Sequence, residues 1–405
     1  MATDDRAKGG QAGAMNKESR KLVVLVGIDR LLGLQLARIL WRRGDDVVGV
    51  AVDERSHYCA TRAANRILPA APFLEDPCSA LASLGAEAGQ RPILIPCTDE
   101  FVWWLDANRT ALSEHADFLL ADSESLERLS DKARFCKEAA ARGEPIPRTR
   151  IVTDPAELDE AAEALGFPLI VKPARRSPEW MRATGGEKVL KIEDGAGVAT
   201  RVRPLFEVGV PIVLQSWIPG GDDCMYSVFV CLDRNHRPAM PPLVVQKLRQ
   251  WPPETGVGCL ARQVEAPDLA ETALRFLVER DFVGTGSLQF KRDASTGRFL
   301  LIEMNTRFAL SFPLCEASGL EATRIHCRLA AEEPVAAETE IPIPGRKWIC
   351  WKRDLASAWE LRRHGRLSIG EWIRSLAGRK RSADLMLADP MPTIRDALGR
   401  ITGRR

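Results

Sequence analysis

Apolar and polar positions along this chain alternate between two periods. The run "KLVVLVGI" is apolar and ends on a glycine, "LLGLQLARILWRRG" repeats its apolar positions at helical spacing, and "DVVGVAVD" is a second short apolar run. Strand, helix and strand are predicted in that order, the βαβ opening of an α/β layer. The runs "RPILIPCT" and "DFLLAD" extend this layer as further strands to about residue 124. One long helix is expected over "SLERLSDKARFCKEAAARG", closed by Gly143 and the prolines of "EPIPRT". A helix in "IVTDPAELDEAAEALG" and a strand in "FPLIVKP" follow. Residues 174–188, "ARRSPEWMRATGGEK", carry no period and read as a mobile loop. Strands at "VPIVLQSWI" and "CMYSVFVCL" precede a helix in "APDLAETALRFLVERD". Next comes a hairpin, "SLQFKRDASTGRFLLIEMNTRF", with "RDASTG" as its polar turn. Beyond about residue 334 the sequence turns towards Trp and Arg, which suggests an α-rich extension; there are no internal repeats.

Composition narrows the class. A chain of 405 residues with 45% hydrophobic content can bury a large core and hold two or three domains. Its formal net charge of +2 offers no overall field for nucleic acid or a membrane surface. The ten cysteines form no CxxC pair, so neither a zinc site nor a disulfide framework is indicated, and reduced thiols in the cytoplasm are expected. The first twenty residues are polar and read as a disordered leader, and no later run approaches the ~18 apolar residues of a membrane span. The five histidines are dispersed and no G-x-S-x-G elbow occurs. Gly27 and Gly33 in "GIDRLLG" do not complete G-x-G-x-x-G, so dinucleotide binding is not expected there.

The hairpin carries the most specific chemistry. Glu303, Asn305 and Arg307 occupy alternate positions directly after "FLLI", and alternate residues of a strand share a face. Pairing across the turn brings Gln289 beside Glu303. A carboxylate and two amide oxygens from paired strands suit Mg²⁺, which takes few ligands from protein and the rest from substrate phosphates. An exposed charge pair between Glu303 and Arg307 is the plain alternative, but a strand buried by "FLLI" should not turn polar without a partner.

On these residues the chain resembles the ATP-grasp superfamily over roughly residues 21–330, with Gln289 resembling the carbamoyl phosphate synthetase branch. The resemblance implies an open parallel α/β layer at 21–124 and a two-subdomain ATP-grasp domain at 125–333 with its lid at about 145–217. The α-rich extension would occupy 334–405. It implies ATP and two Mg²⁺ ions, with Mn²⁺ as the alternative ion, held by Gln289, Glu303 and Asn305. Glu303 would bridge the metals and Arg307 would stabilise the transferring phosphoryl group. Lys132 in "LSDKARF" and Lys172 in "PLIVKP" resemble the two phosphate-binding lysines, and Thr184, Gly185 and Gly186 the lid over the triphosphate. Gln215, Ser216, Trp217 and Ile218 resemble the adenine-binding linker, with Asp223, or else Asp222, on the ribose. Read singly, each lysine could be a surface residue and 215–218 a plain turn; the order of all these segments is what the resemblance rests on.

The family's chemistry implies phosphorylation of a small carboxylate and attack by an amine. Lys247, Arg249 and Arg262 flank "QWPPETGVG" and could pair with the carboxylate, unless Lys247 and Arg249 simply line a solvated strand face. Asp99, with Glu100, follows a strand end of the first layer, where open α/β sheets bind ligands, and could meet the amine. The expected partners are therefore these two small molecules, with neither nucleic acid nor membrane, and the superfamily suggests a homodimer. Carboxyphosphate formation from bicarbonate and a non-catalytic nucleotide-binding regulator are the competing readings. No role is expected for the C-terminal tryptophans and arginines.

Overall fold

The computed structural model describes residues 20–336, 340–341 and 343–402; the predicted leader falls almost entirely outside them. Four strands, β1 (Leu22–Val26), β2 (Asp46–Ala51), β3 (Arg66–Pro69) and β4 (Ile93–Pro96), make a parallel sheet in the order β3-β2-β1-β4. The helix Leu31–Arg43 packs on it. Gly33 permits that packing, because a Cβ there would lie 2.6 Å from the Gly27 carbonyl oxygen. The expected strand at "DFLLAD" is reduced to one bridge between Ile93 and Asp117.

The long predicted helix is two helices, Ser123–Ser130 and Lys132–Ala141. Asp131 divides them by accepting from the backbone N–H of Ala133 and Arg134, both at 3.0 Å, which starts the second helix anew.

A small antiparallel sheet follows, made of β5 (Thr149–Val152), β6 (Leu169–Pro173), β7 (Leu190–Ile192) and β8 (Ile212–Ser216) in the order β5-β8-β6-β7. The segment expected to be a mobile loop contains a helix, Pro178–Ala183, capped by Ser177. Its Trp180 is fully buried in the separate core of this unit, the expected lid, and donates its indole N–H to the Glu187 carbonyl at 3.2 Å. Trp180→Ala should therefore cost the lid about 3–5 kcal/mol. Hydrogen exchange should show faster exchange of lid amides with the hairpin amides still protected; equal protection throughout would contradict this.

The third sheet contains β9 (Met225–Leu232), β10 (Leu243–Trp251), β11 (Val257–Gln263), β12 (Gly284–Arg292), β13 (Phe299–Asn305), β14 (Lys347–Ile349) and β15 (Lys380–Ser382). Its order is β13-β12-β9-β10-β11-β14-β15. The extension beyond residue 334 is thus helical only in part, since β14 pairs with β11 and β15 lies parallel to β14. It is also fastened by buried polar contacts. Trp348 donates to Gln35 at 2.8 Å, Arg38 pairs with Asp389 at 2.8 Å, and Arg249 pairs with Asp354 at 2.7 Å.

Candidate active site

The hairpin forms as the alternation predicts. Gln289 pairs directly with Glu303, and Ser287 with Asn305, with a register shift just beyond Gln289. These strand ends face a cleft of about 710 Å³ lined by the second and third sheets and by loops and helix starts that follow strands of the first. Glu303, Asn305 and Arg307 line it, as do Lys172 from β6 and Lys247 from β10. A small adjoining hollow, lined by Lys132 and Arg176, shares Glu303 and Asn305 with the main cleft.

Electrostatics couple these groups. Burial pushes the Glu303 carboxyl up, but Lys132, Lys172, Arg176 and Lys247 outweigh it and hold the group below the ordinary glutamate range. Glu303 is therefore an anion among four cations. Burial in turn draws Lys172 and Lys247 below the ordinary lysine range, with Glu303 opposing the shift in both. Gln289 bridges the pair: its amide N–H donates to Glu303 at 3.0 Å and its carbonyl accepts from the Lys247 ammonium at 3.0 Å.

Among the described residues no group of three or more His, Cys, Asp and Glu side chains could hold a metal ion. An ion at Glu303 and Asn305 would thus need most of its oxygens from something else bound in the cleft. That matches the behaviour of Mg²⁺ towards phosphates, and the donor set fits it. Gln289 is already engaged through both ends of its amide, so Glu303 and Asn305 are the better-presented ligands.

Gln215, Ser216, Trp217 and Ile218 all line the cleft. Gln215 turns its side chain inward, donating to Thr149 at 3.0 Å, so only its backbone faces a ligand. Trp217 lies between two ammonium groups, Lys191 at 4.4 Å and Lys291 at 3.9 Å from its ring centroid.

Other expected residues lie elsewhere. Thr184, Gly185 and Gly186 are not among the cleft residues. The Thr184 hydroxyl instead donates to backbone carbonyls of Trp180 and Glu187, tying the lid helix to its own loop. Asp223 is exposed away from the cleft. Asp222 is consumed structurally, accepting from the backbone N–H of Gln250 and of Glu254. Arg249 is buried against Asp354 and does not reach the cleft, because a register shift between Lys247 and Arg249 breaks the alternation that would have kept them on one face. Arg262 is exposed and donates to Gln246 at 2.8 Å. Asp99 does line the cleft, but as a carboxylate bound to guanidinium groups, Arg307 at 2.6 Å and Arg176 at 3.3 Å. These hold it well below the usual aspartate range against the effect of burial. It is no free acceptor for an amine.

Several cleft residues were not anticipated. Lys188 sits at the end of the lid loop, and Arg176 follows Lys172 closely; their basic character in "KPARR" and "GGEK" was a usable signal. Arg353 reaches the cleft from the helix Trp351–Arg363, against the expectation that the C-terminal arginines have no role there. Glu254 also lines the cleft, pairing with Lys191 of β7 at 3.0 Å and with Arg366 at 2.8 Å.

Several known proteins are similar to this chain. The family model described as "Carbamoyl-phosphate synthase L chain, ATP binding domain" matches residues 260–338, a stretch that contains the hairpin. The chain is 25% identical over 250 residues to D-aspartate ligase of Enterococcus faecium, covering 59% of this chain and 58% of that protein. It is 24% identical over 217 residues to the C-terminal section of the carbamoyl phosphate synthase large chain of Methanopyrus kandleri, covering 50% of this chain and 38% of that one. The chain therefore spans under two thirds of these relatives. Among solved structures, biotin carboxylase of Campylobacter jejuni superposes with a TM-score of 0.59 at 16% identity, over 78% of this chain and 72% of that one. The N5-carboxyaminoimidazole ribonucleotide synthetase of Thermus thermophilus gives 0.58 at 19% identity, over 80% and 81%.

Proposed function

We propose that this chain, which has the ATP-grasp fold and resembles the carbamoyl phosphate synthetase-like branch, is an ADP-forming carboxylate–amine ligase. The observation that carries the reading is the anionic strand end, Glu303 with Asn305, set between Lys172 and Lys247 of the main cleft, which also holds Arg307, and Lys132 of the adjoining hollow. Such a balance suits a triphosphate. The lysines supply compact positive charge for its oxygens, the backbone of 215–218 and the face of Trp217 border the base, and Arg307, steadied by Asp99, meets the developing charge on the transferred phosphoryl group. Bound Mg²⁺ would neutralise phosphate charge. Glu303 and Asn305 would hold it, and a second ion would require Gln289 to release Lys247. The acyl phosphate formed from the acid is then open to attack by an amine, with loss of phosphate.

The competing bicarbonate reading is separated by the same acid screen that tests this one, because ADP release that depends on bicarbonate alone would favour it. The ten unpaired thiols fit a reducing cytoplasm. No described helix is long and apolar enough to cross a membrane. A homodimer belongs to this reading on the resemblance alone.

The test is a screen of carboxylic acids for Mg²⁺-dependent ADP release with hydroxylamine as the trapping amine, followed by mass spectrometry of the hydroxamate. Lys172→Ala should raise the dissociation constant for ATP by about 10- to 100-fold, as expected for loss of charged contacts. Unchanged affinity in that variant, or nucleotide binding without ADP from any acid, would favour the non-catalytic reading.

A further inference from the structure

The cations of the cleft fall into two linked groups. Lys132, Lys172, Arg176 and Lys247 act on Glu303, at the end assigned to phosphates. Arg176 also acts on Lys188, together with Arg307 and Arg353. Arg353 acts in turn on Tyr58 of the first layer. The second group thus joins the end of the hairpin to the lid loop, the C-terminal helix and the first layer, all of which line the same cleft.

Its charge is poorly balanced. Two carboxylates of the cleft stand against this group: Asp99, already bound to Arg307 and Arg176, and Glu100, which acts on Arg307; neither pairs with Lys188 or Arg353. Lys188 and Arg353 both line the cleft, and neither side chain makes a hydrogen bond or ion pair with any described residue. Loss of water in the cleft, with Arg176, Arg307 and Arg353 adding to it, pulls Lys188 down to about 8. Like charges are held together there by three separate parts of the fold: the lid loop, the end of the hairpin and the C-terminal helix Trp351–Arg363. Such an arrangement is unfavourable in the empty protein and becomes favourable when an anion bridges the groups. The one carboxylate to be phosphorylated is neutralised beside Arg307, which leaves Lys188 and Arg353 without a function unless the acid carries another negative group.

Resting on the ligase reading, we propose that the acid substrate is a dianion: one carboxylate is activated, and a second carboxylate or a phosphate is gripped by Arg353 and Lys188. A guanidinium can take either group through two parallel N–H donors, and the ammonium adds a point charge. The lid and the C-terminal unit would then close on the same anionic group, so that recognition of the acid completes the wall of the cleft.

Calorimetry decides this on the full chain loaded with Mg²⁺ and a non-hydrolysable ATP analogue, using succinate, 3-phosphonopropionate and butyrate as probes. At least one dianion should bind about 10-fold or more tightly than butyrate, and which one does so distinguishes a carboxylate from a phosphate at the far end. Arg353→Ala and Lys188→Ala should each abolish the preference without changing the dissociation constant of the analogue, and Arg353→Lys should restore part of it. Equal binding of butyrate and both dianions, or a preference that survives Arg353→Ala, overturns the proposal while leaving the ligase reading intact. Failure of the analogue itself to bind removes both.

Discussion

Glu303→Gln is expected to lower ATP turnover by about 10³-fold while circular dichroism shows an unchanged fold. The substitution keeps the shape and most hydrogen bonding of the side chain, including an acceptor for the Gln289 amide, and removes only charge. Charge is what the site depends on, because Glu303 is the anion facing Lys132, Lys172, Arg176 and Lys247. The same change should leave affinity for metal-free ATP equal or higher, since a repelling carboxylate is gone from beside the phosphates. A variant that keeps turnover within about 10-fold of wild type would remove Glu303 from the metal site. One that loses metal-free ATP binding would show that the carboxylate organises the cleft rather than the ion.

Asp354→Ala should destabilise the protein by about 3–5 kcal/mol, the cost of leaving a buried guanidinium unpaired. Asp354 is fully buried, accepting from Arg249 at 2.7 Å and from the Trp372 indole at 3.0 Å. The pair joins β10 to the helices of the C-terminal unit, so its loss should free that unit first. Urea unfolding followed by tryptophan fluorescence reads this directly, because Trp348, Trp351, Trp359 and Trp372 all belong to it. Replacing Arg249 and Asp354 together by Met and Leu should recover most of the loss. If the single variant unfolds at the wild-type midpoint, the pair is not what fastens the extension.

The hairpin was legible because two independent constraints agreed. Period-two alternation fixed the faces of β12 and β13, and the polar turn fixed which residues oppose, so Gln289 opposite Glu303 followed from both. Lys172 was picked out only by the resemblance, since alone it could have been a surface lysine; in the structure it is buried and lines the cleft. Arg249 was misread because alternation holds only while the ladder is regular. One extra residue between Lys247 and Arg249 turns the second away, and Gln250 takes the cleft-facing place instead. Asp222 and Asp223 could not be told apart, because their difference lies in backbone N–H groups of Gln250 in β10 and of Glu254 in the turn after it. Trp180 was misplaced because its helix is only six residues long, too short to show a period, inside a stretch rich in Arg and Gly. The strands β14 and β15 span three residues each and leave no pattern at all.

That pairing of β14 with β11 bears on how the protein can be handled at the bench. The similarity to known families fades near residue 338, an inviting place to shorten the chain. A version ending there would strip β11 of its neighbour and expose its row of N–H and C=O groups as a template for intermolecular pairing. It would also leave the Arg249 guanidinium with no anion and remove Arg353 altogether. Insoluble or inactive product from such a shortened gene would reflect a raw sheet edge, not a fault in the nucleotide cleft.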